Sequence, residues 1–214
     1  MSTGPTLPPG IRRAAWLATA VAVAVLLGTT NDLSIQVELE TYRSLVLDMK
    51  ASEPVAQLSL ELERTRLQLM GSHRELSMGV LFLLSLAAGF VFAASLRMLR
   101  PRGMPLSGIR RLLAHAAVAA AVLRTLDGAQ EAAVVRKAAL LVAGRFPSPT
   151  AAELQSAEMV VETLRRNMGW LLPAVSVAKT AVLALAFAAL AHYFQAASVQ
   201  RAVEAADREL TSGE

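Results

Sequence analysis

The sequence predicts an all-α membrane protein with three transmembrane helices, an external helical hairpin and a cytoplasmic helical segment. Three observations carry that prediction. Three long runs are apolar and nearly free of charge, the segments around them alternate in net charge, and the longer connecting segments repeat apolar residues at helical spacing. Composition agrees: 54% of the 214 residues are hydrophobic, 18% are charged, and the mean hydropathy is +0.45. Soluble domains sit at roughly 45–50% apolar and about 25% charged.

Residues 1–13 form a cytoplasmic N-terminus carrying Arg12 and Arg13 and no acid. The first span covers 14–30, uncharged throughout. A cleavable secretory signal is the competing reading, but Gly28-Thr29-Thr30-Asn31 is a poor match to an A-x-A-like site, which favours an uncleaved anchor. The second span covers 77–96, bounded by Glu75 and by Arg97 and Arg100. The third covers 170–194 and contains Pro173 and Lys179. Each reaches the roughly 17–25 residues that a bilayer-crossing helix needs.

The charges set the orientation. Residues 31–76 hold five bases and eight acids, a net −3, and residues 97–169 hold eleven bases and five acids, a net +6. The tail, 195–214, is −2. The positive-inside rule then places the N-terminus and 97–169 in the cytoplasm, with 31–76 and the C-terminus outside. The arginine- and alanine-rich composition points to a GC-rich bacterial genome, and hence to a plasma (inner) membrane.

Within 31–76, Ile35, Leu39, Tyr42, Val46 and Met49 repeat at alternating steps of four and three, and Val55, Leu58, Leu62 and Leu69 continue the pattern beyond Pro54. These are coiled-coil-like seams on two helices facing each other across a turn. Pro54 marks the break, since it disfavours helix at the residue before it and suits the first turn of the next. Short strands at Val37–Glu40 and Leu58–Glu63 compete, but abundant Leu, Glu, Gln and Arg favour helix. Leu45, Leu47, Leu60 and Leu67 fall on the outer faces of this hairpin and form a candidate interaction surface. In the tail, Val199, Val203, Ala206 and Leu210 mark an external amphipathic helix.

The cytoplasmic segment reads as three helices. The first starts near Ser107 and ends near Leu126, where Asp127-Gly128 breaks the chain; the second ends at Phe146-Pro147-Ser148-Pro149. Thr150 and Glu153 have capping-box spacing for the third, whose seam is Leu154, Ala157, Val161, Leu164 and Met168. Leu112 to Leu126 is apolar on most sides and is read as a surface-lying or bundle-buried helix, short for a fourth span.

Chemistry is sparsely signalled. The chain has no cysteine, which excludes thiol catalysis, disulfides and sulfur-ligated zinc. No phosphate loop, H-E-x-x-H or G-x-S-x-G occurs, so neither an enzyme nor a cofactor or metal site is expected. His73, His115 and His192 fall in three compartments; the first and last read as interfacial and His115 as a packed helix residue. Lys179 is the candidate intramembrane functional residue, since charges within spans are costly and often functional; against this, a lysine at the span boundary can snorkel. Ala20, Ala24 and Gly28, with Ser85, Gly89 and Ala93, form small-residue stripes that are candidates for helix packing.

The arginines beside the spans suit anionic lipid headgroups better than nucleic acid, since aromatic side chains for stacking are few. The expected partners are therefore the lipid bilayer and either a second copy or another membrane subunit. The leading functional expectation is a non-enzymatic integral membrane subunit that scaffolds or couples partners through helical surfaces on both sides of the membrane. A transport or channel component using Lys179 is the alternative.

Overall fold

The computed structural model describes residues 7–71, 73–100, 105–145 and 156–212. Among these the chain forms seven helices and no strand: α1 (Pro9–Val37), α2 (Leu39–Asp48), α3 (Pro54–Gly71), α4 (Arg74–Leu99), α5 (Leu106–Arg145), α6 (Ser156–Gln195) and α7 (Ala197–Ser212). Four, rather than three, are long and apolar enough to cross a membrane: α1, α4, α5 and the Glu162–Gln195 part of α6.

The fourth is α5, which also has no break at Asp127-Gly128. Turn chemistry loses to packing there. A Cβ added to Gly128 would lie 2.1 Å from Thr180 Oγ1 and 2.6 Å from Thr180 Cβ, so the missing side chain lets α6 approach α5 closely. The apolar run Leu112–Leu126 is part of one 40-residue helix. Helix α6 likewise continues through Pro173. The Phe146–Pro149 stop, the Thr150–Glu153 capping box and the side chains of Leu154, Ala157 and Val161 lie outside the described residues.

The chain packs as two units. One comprises Met1–Asn31, Val80–Thr125 and Ala181–Glu214; the other comprises Asp32–Gly79 and Leu126–Thr180.

The first unit has a single apolar core. From α1 it takes Ile11, Ala15, Ala18, Ala22 and Val25, stepping by four and three, which place one alanine-rich seam toward α4. Leu84, Ala88, Val91 and Met98 of α4, Leu113, Ala117 and Ala120 of α5, and Phe187 and Phe194 of α6 complete it. Two hydroxyl pairs join α1 to α4: Thr19 Oγ1 and Ser95 Oγ lie 2.8 Å apart, and Ser85 Oγ donates to Thr29 Oγ1 at 2.9 Å. In lipid such bonds between helices contribute on the order of 0.6 kcal/mol, up to about 2. Helix α7 lays Val199, Val203 and Ala206 on this core.

The second unit buries both sides of α3. Leu67 packs with Leu39 and Val46 of α2, with Leu60 and Met70 partly covered beside them. Leu58, with Leu62 beside it, packs with Ala139 and Val142 of α5 and Met168 of α6. The expected pairing therefore changes. Leu58 and Leu62 belong to the α5/α6 contact, while Tyr42, Met49 and Val55 are exposed. The two faces of α3 exchange roles: the face expected to form the seam with α2 meets α5 and α6, and the face expected to meet a partner packs on α2.

Arg64 fixes the α2–α3 connection. Its guanidinium donates to the carbonyls of Val46, Leu47 and Met49 at 3.3, 2.9 and 2.8 Å and pairs with Glu61 at 3.0 Å. These carbonyls end α2 and have no partner within it. A cation at a helix C-terminus is also favoured by the helix dipole. Weaker ion pairs link α3 to α5, Arg66 to Glu131 and Arg145 to Glu61, each at 3.9 Å.

Candidate functional site

Polar groups in the first unit concentrate where α5 begins, α6 ends and α7 turns back. Asp207 accepts hydrogen bonds from the backbone N–H groups of Leu106 (2.7 Å) and Ser107 (3.0 Å), one on each carboxylate oxygen. These are among the donors that the first turn of a helix leaves without intrahelical partners, and the positive end of the helix dipole favours the carboxylate. Arg110, which is buried, donates through Nη1 to the Phe194 carbonyl at 2.6 Å, in the last turn of α6. An acid thus caps the start of α5 and a base caps the end of α6. The helix starts close to Ser107, as the sequence predicts, and the carboxylate that caps it arrives from α7.

The Asp207 bonds hold the start of α5 beside α7. Of the bases in 97–169, the six unmatched by acids all fall in 97–125, and 126–169 holds five of each.

In the second unit, Ser176 and Thr180 are buried on one face of α6, four residues apart, and neither hydroxyl has a hydrogen-bond partner. Asp127 is also buried. Lys179 is exposed, on a different face from its neighbours Ser176 and Thr180. Above the apolar run, Arg165 donates to both oxygens of Glu162 (2.7 and 2.9 Å) and to the Ala143 carbonyl (3.2 Å). Trp170 is exposed and donates from its indole to Asn167 Oδ1 at 3.0 Å.

The remaining candidates divide. Leu45 and Leu47 are exposed, at 59% and 49%, but Leu67 is 1% exposed and Leu60 half-buried, so these two leave the interaction surface. Ala20, Ala24 and Gly28 face outward on α1, because its packed seam runs through Ala15, Ala18 and Ala22 instead. Gly89 is open to a side chain, Ala93 is exposed, and only Ser85 of that stripe bonds across to α1. His115, expected to pack, is exposed, as are His73 and His192. Among the described residues no three His, Cys, Asp or Glu side chains group as metal ligands do.

Sequence reasoning missed Arg64, Arg110 and Asp207. Each acts on backbone groups of another helix, for which side-chain spacing has no signature. Thr19 and Ser95 carried a faint signal as lone hydroxyls within apolar runs. The chain matches no protein-family model, no curated protein and no solved structure.

Proposed function

We propose that the chain is a non-enzymatic integral membrane subunit whose α1, α4, α5 and α6 cross the bilayer, with both termini cytoplasmic. Helix α2 and the connection from α5 to α6 then lie outside, and α2 offers a docking face to a protein partner. The observation that carries the docking role is on α2. Leu39 and Val46 are buried beneath it, while Tyr42 and Leu45, three residues apart, are 36 and 59% exposed, and Met49, just past the helix end, is 58% exposed. A helix packed on one side and apolar on the other is suited to a second partner.

Four crossings, rather than three, reconcile the Asp207 bonds with the positive-inside rule. Arg12, Arg13 and the bases of 97–111 all gather at the cytoplasmic ends of the spans. Lys179 lies 15 residues before Phe194, roughly 22 Å along the helix, near the outer boundary. Its outward direction withdraws support from the transport reading, which needs a lysine facing a pathway.

Single cysteines test this cleanly, because the chain has none. Residues 45 and 140 should react with a membrane-impermeant maleimide from outside, and residue 201 only after permeabilisation. An impermeant cross-linker on cysteine 45 or 49 should capture a protein partner or a second copy. Protection of residue 140 refutes the four-span topology; accessible but uncross-linked cysteines at 45 and 49 refute the docking role.

A further inference from the structure

The outward face of α4 carries an open groove of about 420 Å³, lined by Phe92, Ala93, Leu96, Arg97 and Arg100. Ala93, exposed and small, is one of its lining residues beside the larger Phe92 and Leu96. Arg97 and Arg100 stand at its end, three residues apart and therefore on neighbouring positions of one helix face, both exposed. No acid lies between Arg97 and Thr125, so no charge of opposite sign within that stretch neutralises them. An apolar channel with two guanidiniums at its end matches the build of a phospholipid, whose chains are apolar and whose phosphate accepts hydrogen bonds from guanidinium groups.

We propose that this groove is a binding site for one anionic glycerophospholipid of the cytoplasmic leaflet. Its phosphate sits between Arg97 and Arg100, and an acyl chain lies over Ala93 between Phe92 and Leu96. The bilayer supplies the occupant wherever α4 crosses it, so the site rests on the membrane reading above. It adds a selectivity that the reading alone does not require. A diffuse basic surface attracts anionic lipid in proportion to charge, whereas a built site depends on these two arginines and on the depth left by Ala93.

The test is native mass spectrometry of the full chain released from detergent, with phosphatidylglycerol and phosphatidylcholine of matched chains as probes. Wild type should retain one phosphatidylglycerol in preference to phosphatidylcholine by about tenfold, and millimolar inorganic phosphate should not displace it. Arg97→Gln with Arg100→Gln should abolish the preference. Ala93→Leu should lower binding of both lipids by filling the groove without altering charge. Arg12→Gln with Arg13→Gln removes the same charge elsewhere at the cytoplasmic end and should leave the preference intact.

An equal loss in the Arg12/Arg13 variant, unchanged binding in Ala93→Leu, or displacement by phosphate overturns the site. Photoactivatable phosphatidylglycerol on the wild-type chain gives a readout free of variants: labelling should fall within residues 92–100, and labelling elsewhere refutes the assignment. Recovery of the chain in the soluble fraction would refute the membrane reading itself. Recovery in membranes without lipid preference would refute this site alone.

Discussion

Gly128→Ala separates two accounts of α5 by the sign of its effect. In an ordinary helix interior, replacing glycine by alanine stabilises by about 0.5–1 kcal/mol. At residue 128 the new Cβ would meet Thr180 Oγ1 at 2.1 Å, Cγ2 at 2.2 Å and Cβ at 2.6 Å. Non-bonded carbons rest at about 3.5–4.0 Å, so α5 and α6 must separate by about 1 Å or more. Threonine cannot swing clear, because its own Cβ, fixed to the helix backbone, is one of the clashing atoms. Overpacking of this kind costs about 1–3 kcal/mol, which outweighs the propensity gain.

For a chain of this size each kcal/mol moves the unfolding midpoint by about 2–4 °C. Thermal unfolding in detergent should therefore show Gly128→Ala melting several degrees below wild type. Gly89→Ala, where a side chain meets nothing within 4 Å, should melt slightly above it. Adding Thr180→Gly should recover most of the loss. Thr180→Ala should recover less, since it retains the Cβ at 2.6 Å. A Gly128→Ala midpoint raised like that of Gly89→Ala would refute the close approach.

Three other substitutions follow from the contacts described. Asp207→Ala should cost about 0.5–2 kcal/mol, as loss of a helix cap does, and speed tryptic cleavage after Arg201, with Asp207→Asn intermediate; an unchanged cleavage rate refutes the cap. Arg64→Met should lower the melting midpoint by the equivalent of about 1–3 kcal/mol, since it strips the hydrogen bonds from three carbonyls at the end of α2. Lys179→Leu should stay within about 0.5 kcal/mol of wild type, while Arg110→Met, losing a buried charged bond to Phe194, should lose about 1.5–3 in the same assay. The reverse order would restore Lys179 as the important cation.

The all-helical character and the apolar helices were legible because both follow from local pattern. Runs without charge and repeats of three and four residues need no knowledge of neighbours. What depended on neighbours was misread. Asp127-Gly128 has the chemistry of a turn in isolation, yet it lies inside α5, where the glycine admits Thr180 of α6. Leu60 and Leu67 looked like the back of a two-helix pair, since the sequence does not reveal that α5 and α6 lie on another side of α3. Ala20, Ala24 and Gly28 and the packed Ala15, Ala18 and Ala22 are small-residue stripes of similar quality on one helix. Residue size alone does not distinguish them.

The Asp207 cap also imposes an order on biogenesis. The amides it satisfies belong to Leu106 and Ser107, 101 and 100 residues earlier in the chain. At about 5–20 residues per second, a ribosome needs roughly 5–20 s to reach the aspartate after making the helix it caps. Throughout that interval α1, α4 and α5 can already be helical, while the first turn of α5 keeps its donors turned to solvent. The bundle therefore closes from its last helix: α6 must form and α7 must fold back before the start of α5 is secured. A chain interrupted before Asp207 would form its long helices yet leave that turn without its cap.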